Sequence, residues 1–329
     1  MDAAELVSER LTLPETIYLE IGEMFRFNLD PSPAARGIGP WPAMMFAITL
    51  AAVLTPAASY AHGVVGDRVF LSPIVGNDAF PDNAMSVTAS RSNYQFGLLP
   101  EFEKQLSDNS SILLTNEWQI VQPRAGRRKA EGFGDLYLYY RRIAITSVSH
   151  EFQLTISPFV ITPTGDRRLA DQGYAHLGGE LLAGKGFGDL PENDWLKYLR
   201  PFALQAEAGY AGRIEGPANS DLLANLEVEY SLAYLNRFVE PIELAKPWVQ
   251  LVPFVQFNYA QSLISSQLNT IPDFRLTPGV AYMGDYCELS VGVQIAVNGA
   301  APKGDQFSAL GLVEIFYDDI FPALGWNPF

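Results

Sequence analysis

The feature that most constrains this chain is a two-residue hydrophobic rhythm sustained for ten residues and more. In Cys287–Val297, Leu289, Val291, Val293, Ile295 and Val297 fall on one face, while Glu288, Ser290, Gly292, Gln294 and Ala296 fall on the other. Successive side chains of a strand point to opposite faces, so this is a strand with one apolar and one polar or small face. The pattern recurs at 152–157, 225–232, 250–259, 274–282 and, less cleanly, 112–120. No helical period of 3.6 persists in these runs. A soluble sandwich also alternates, but its strands usually run ~5–6 residues. A transmembrane strand needs ~9–11. Hydrocarbon offers the backbone no hydrogen-bond partners, so such strands must close into a barrel. Aromatics near the ends of several runs (Tyr139 and Tyr140, Tyr210, Tyr234, Tyr259, Tyr282, Phe316 and Tyr317) fit girdles at the membrane interfaces.

Eleven clear segments lie at about 94–106, 111–121, 133–145, 150–162, 173–187, 198–212, 222–237, 247–261, 270–283, 285–297 and 306–318. The tightest connections are 107–109, 146–149 and 284–285, the first, third and ninth, so they share one side. Short turns belong to the periplasmic side of bacterial barrels. An ascending strand must then precede residue 94, and 84–91 is the candidate. The expected fold is all-β: an antiparallel transmembrane β-barrel of about twelve strands over 84–318, with 319–329 a periplasmic tail. Residues 62–83 are expected to be a periplasmic segment or a plug.

The N-terminal stretch reads as an address. Met44–Leu54 is an apolar run of 11 residues, and Ser59 and Ala61 have the small-residue spacing of a signal-peptidase site. Residues 41–61 are therefore expected to be a signal peptide cleaved after Ala61. Residues 1–40 hold seven acidic residues against three arginines, the wrong sign for a secretory start. They read as an extension or a start assigned too far upstream. The chain from His62 onward carries 19 Lys/Arg and 30 Asp/Glu, a net charge of −11. A pI near 4.6 excludes a basic nucleic-acid binder. One cysteine, Cys287, excludes a disulfide framework or multi-cysteine metal site.

Function candidates lie on the polar faces. Glu117, Glu227, Glu229, Glu288 and Arg275 are expected to face the lumen, where carboxylates would give a cation-attracting field. The structural alternative is that inward side chains and salt bridges fill the interior of so small a barrel. His62, as a new N-terminus, has the amine and imidazole of a copper chelate, with His150 and His176 the other histidines. No catalytic constellation is apparent, so no enzyme and no cofactor are expected. Gly132–Asp135 and Gly184–Gly188 do not open a helix after a strand, which excludes a phosphate cradle and leaves bends or bulges. Arg124, Arg127, Arg128 and Lys129, with Arg167 and Arg168, fall in expected external loops and have the chemistry to meet lipopolysaccharide phosphates.

The start Ala61-His-Gly-Val-Val-Gly-Asp-Arg68, the stretch Leu276-Thr-Pro-Gly-Val280 and the end from Phe316-Tyr-Asp-Asp-Ile-Phe-Pro322 to Phe329 resemble a family of uncharacterised outer-membrane β-barrel proteins of Gram-negative bacteria. The chain is more loosely similar to barrels grouped with the phenol-degradation (MetA-like) transporters. The resemblance implies outer-membrane location and transport of small, aromatic or hydrophobic molecules, and supplies no catalytic residue. The partners expected are outer-membrane lipid and lipopolysaccharide, the barrel-assembly machinery through the C-terminal aromatic Phe329, and a small-molecule solute. The expected function is a passive channel or carrier. A plugged structural or surface-interaction barrel is the first alternative, and a lipid-modifying enzyme the second.

Overall fold

The computed structural model describes residues 63–320 except 124–127, 170–173, 215–218, 265–271, 300 and 302–304. Two short strands, β1 (Val64–Val65) and β2 (Arg68–Val69), form a hairpin whose turn residue Gly66 takes the positive φ of 66° that such a turn asks of its first central residue. Twelve strands follow: β3 (Ala84–Arg91), β4 (Gln95–Ser107), β5 (Ser110–Val121), β6 (Ala130–Ser147), β7 (Phe152–Thr162), β8 (His176–Gly186), β9 (Phe202–Arg213), β10 (Asn219–Tyr230), β11 (Leu251–Ile264), β12 (Asp273–Met283), β13 (Cys287–Ala296) and β14 (Phe307–Phe316).

Each barrel strand pairs antiparallel with its sequence neighbours, and β14 returns to β3 from Phe316↔Ala84 to Ala309↔Arg91. The sheet closes, so no strand edge is left unpaired. Register shifts occur only where β4 meets β5, β5 meets β6 and β6 meets β7, among the described residues. The two-residue rhythm becomes an inside and an outside. On β7, Gln153, Thr155 and Ser157 are buried, whereas Ile156 between them is exposed. Leu181, Tyr210, Leu226, Phe257, Val291 and Val293 are likewise exposed on the outer wall. An apolar surface continuing around the whole wall of a closed barrel is a lipid-facing surface. The chain is an outer-membrane-type β-barrel.

The connections sort by end as the parity of the tight turns requires. One end, here the turn end, carries 108–109, 148–151, 187–201, 231–250 and 284–286, together with the first and last barrel residues. Two of these are long. One contains a 3-10 segment at Asp194–Leu199, and the other a helical turn at Leu232–Tyr234 that runs on into Leu235–Val239. The opposite end is the loop end.

Several expected placements differ. The segment read as 222–237 leaves the sheet at Tyr230, because the Ser231 hydroxyl accepts the Tyr234 N–H at 3.1 Å and starts a helical turn. Tyr234 is therefore buried under the barrel rather than in a girdle. Tyr139 and Phe316 are buried inside, since the alternation turns them inward, while Tyr140 and Tyr210 are exposed outside. Ala61 and His62 lie outside the described residues, as does the segment read as the signal peptide.

Residues 70–83 lie within the ring of strands. Their atoms bond to side chains from β4, β6, β7, β8, β9, β10, β13 and β14, which is possible only from inside the barrel. Apolar contacts seat the segment. Phe70 stacks on Phe80 with centroids 4.6 Å apart and packs with Leu182 and Ala203, and Leu71 and Ile74 pack against Val252, Phe254 and Leu312.

Candidate functional site

The segment enters at the turn end through a buried arginine. Arg68 has no solvent exposure. Its guanidinium donates to the carbonyls of Pro201 at 2.9 Å and Phe202 at 3.2 Å, and to that of Arg200. It also lies 3.5 Å from the Glu151 carboxylate and 4.0 Å from the centroid of the Tyr234 ring. Glu151 completes the clasp by accepting the Gly188 N–H at 2.9 Å and the Tyr234 hydroxyl at 3.1 Å. Burial, then the neighbouring Glu151 charge, push the Tyr234 hydroxyl up to about 12. Beside the clasp, Asp189 receives His150 and Lys185, each at 3.0 Å. Burial would raise this carboxyl, but those bonds outweigh it and hold it below its ordinary value.

Above the clasp, the barrel wall supplies acceptors to backbone that has no sheet partners. Glu229 accepts the Leu71 N–H at 3.2 Å, Glu288 accepts that of Ser72 at 2.9 Å, and Glu207 accepts that of Asn77 at 3.1 Å. Glu314 binds the Ser72 hydroxyl, and Glu180 the Asn77 amide at 3.1 Å. In return, Gln205 donates to the Leu71 carbonyl at 2.6 Å, while Gln153 and Thr155 donate to that of Ala79 at 2.6 and 2.5 Å. A buried irregular segment must find a partner for each polar group, and the inward side chains provide them. Arg141 ties the outgoing limb, bonding Asp78 at 2.6 Å and Glu103 on β4. A cavity of about 30 Å³ beside Ser72, Asp78 and Arg141 has room for ordered water only.

The glycines of β8 have a purpose different from bending. A side chain at Gly184 would meet the Phe80 ring, and one at Gly186 would meet the Glu151 carboxylate. The Gly184–Gly188 cluster clears space for the segment and its clasp.

The loop-end half of the interior is different. Glu117 reaches across Gly97 and bonds Gln119. Arg275 is held by Asp273 at 2.8 Å and Gln294 at 2.9 Å. Both remain partly exposed. Leu113 on β5, Tyr139 on β6, Phe159 and Ile161 on β7 and Ala211 on β9 form an apolar cluster, with Tyr137 stacked on Tyr139 at 6.2 Å. Phe159 lies over Gly178, where a side chain would collide with its ring.

The five residues read as lumen-facing thus fall into two groups. Glu227, Glu229 and Glu288 are buried in the turn-end half, the last two as acceptors for the N-terminal segment. Glu117 and Arg275 sit in the loop-end half. Sequence reading overlooked Glu101, Glu103, Arg141, Glu180, Glu207 and Glu314. The signal was present in the same alternation, for example Gln205 and Glu207 alternating with Leu204, Ala206 and Ala208. His150 lies at the turn end, and His176 begins β8 at the loop end. No cluster of three His, Cys, Asp or Glu with metal-binding geometry occurs among the described residues. Of the external basic residues, Lys129 pairs with Glu131 at 3.3 Å and Arg168 pairs with Asp166.

No family model matches the chain, and no curated protein matches it. Among solved structures it is similar to the NanC porin at 4% identity, covering 71% of this chain and 98% of that one with a TM-score of 0.45. It is also similar to the KdgM porin, solved in complex with disordered oligogalacturonate, at 8% identity, 70% and 98% coverage and a TM-score of 0.41. LpxR from Salmonella typhimurium is similar at 11% identity, 71% and 99% coverage and a TM-score of 0.37.

Proposed function

We propose that this chain is an outer-membrane β-barrel for passive passage of small solutes, with residues 62–83 as an internal plug. The observation that carries the reading is the division of the interior. Charged side chains stay partly exposed in the loop-end half, while the turn-end half is occupied by the segment that Arg68 clasps. Glu117 on β5 and the Asp273–Arg275 pair on β12 are the charges that a solute meets, and charged side chains lining a pore set selectivity. The Tyr137, Tyr139 and Phe159 wall, on β6 and β7 beside the strand of Glu117, supports an aromatic or hydrophobic solute, in keeping with the resemblance to phenol-degradation transporters. In this reading the tight-turn side is periplasmic, residues 41–61 are removed on export, and lipopolysaccharide and the assembly machinery are its partners.

The fully plugged, structural barrel is the second reading, favoured by the density of bonds to residues 70–83. Planar-bilayer recording of the chain beginning at His62 decides between them. The channel reading expects stepwise, cation-selective conductance. A membrane that stays silent at every potential applied overturns it in favour of the plugged barrel.

A further inference from the structure

One row of the turn-end wall is only partly accounted for by its bonds to the N-terminal segment. Gln205 on β9, Glu227 on β10 and Gln256 on β11 stand side by side, because Glu227 pairs directly with both neighbours in the register. Adjacent strands lie ~4.8 Å apart, so the three inward side chains form one row. All three are almost wholly buried, at 3%, 3% and 1% exposure. The amide orientations are set by their donors. Gln205 Nε2 bonds the Leu71 carbonyl, and Gln256 Nε2 bonds Glu227 Oε2. That leaves Gln205 Oε1, Glu227 Oε1 and Gln256 Oε1 as acceptors with no donor, and Glu229 Oε1 on the same strand is a fourth.

Orphaned acceptors, and not donors, accumulate here. The row borders a small, partly open space of about 10 Å³, the room of one water or one ion. Pro73, Val75 and Asn77 of the segment cover it, and no lysine or arginine lines it. A buried carboxylate is costly unless its charge is matched. Oxygen-only ligands with a carboxylate among them are the chemistry of a hard cation.

We propose that the Gln205–Glu227–Gln256 row binds one hard divalent cation of the Ca²⁺ class, held between the barrel wall and the N-terminal segment. The ion satisfies the row of orphaned acceptors at once and offsets the charge of Glu227. Two of the three ligands are amide oxygens, and Glu227 supplies the one carboxylate. The inference stands whether or not the barrel conducts.

The test uses the full chain from His62, folded in detergent, stripped with EDTA and reloaded with calcium chloride. The expected result is one tightly bound Ca²⁺ per chain and a saturable rise in the midpoint of thermal unfolding. Glu227→Gln keeps the shape and removes the charge, so it should weaken binding about tenfold or more and cancel the rise. Glu192→Gln, an exposed carboxylate, should change neither. Heat-modifiable gel mobility verifies that each variant is folded. Wild-type protein that binds neither Ca²⁺ nor Mg²⁺ overturns the proposal and leaves ordered water as the occupant. A rise in midpoint that persists undiminished in folded Glu227→Gln also overturns it.

Discussion

The two halves of the barrel interior use the same residue types for opposite purposes. In the turn-end half, carboxylates such as Glu229 and Glu288 are spent on the N–H groups of Leu71 and Ser72. In the loop-end half, Glu117 bonds Gln119 and Arg275 bonds Asp273 and Gln294, neighbouring side chains of the wall, and both keep part of their surface open. An inward charge on a barrel strand is therefore not by itself a selectivity filter. What decides is whether an internal segment has claimed it. Buried, claimed charges govern stability, and partly exposed ones are left to act on a solute.

Five substitutions sharpen this contrast. The largest effect is expected for Arg141→Ala, which leaves Glu103 buried and Asp78 largely so without their cation. A loss of about 3–5 kcal/mol in reversible urea unfolding is predicted. Gly184→Val comes next, since its side chain would strike the Phe80 ring, and overpacking of this kind costs about 1–3 kcal/mol. Protease sensitivity of residues 63–83 should rise in the same variant.

Tyr234→Phe removes one hydrogen bond to Glu151 and is expected to cost about 1 kcal/mol near neutral pH. It also has a pH signature. The Tyr234 hydroxyl is pushed from 10.0 up to about 12 in the folded chain, so the unfolded chain ionises first. Its contribution is fully present below pH 10 and is lost as pH rises from 10 towards 12. The wild-type stability curve should fall more steeply than that of Tyr234→Phe across this window.

The smallest effect on stability, within about 0.5 kcal/mol, is expected for Glu117→Gln. That variant should nevertheless reduce the cation-over-anion permeability ratio in bilayers, whereas Glu288→Gln should leave the ratio unchanged. An equal change in both variants would erase the distinction between the halves.

Much of this was legible from alternation alone. The period of two in Cys287–Val297 distinguishes inward Glu288 from outward Leu289, and the parity of tight turns implied a strand at 84–91 ahead of the first clear one. What stayed hidden depends on contacts distant in the chain. Arg68 and its partners at 200–202 are more than 130 residues apart, and nothing local marks Arg68 as buried. Tyr234 looked like an interface aromatic because the capping Ser231 ends the strand without breaking the hydrophobic pattern. Gly184 and Gly186 read as bends or bulges, but their missing side chains are the space in which Phe80 and Glu151 sit. Glu207 was overlooked because alanine and glycine neighbours mute the alternation on β9.

Thiol accessibility tests the two-half interior most directly. In a Cys287→Ser background, a single cysteine is placed at Glu117 or at Thr155, the latter fully buried beneath Ala79. The folded barrel in lipid vesicles is then exposed to a small, charged, membrane-impermeant maleimide. The account predicts rapid labelling of Glu117→Cys and labelling of Thr155→Cys only after unfolding. Equal rates at the two positions in the folded barrel would contradict it.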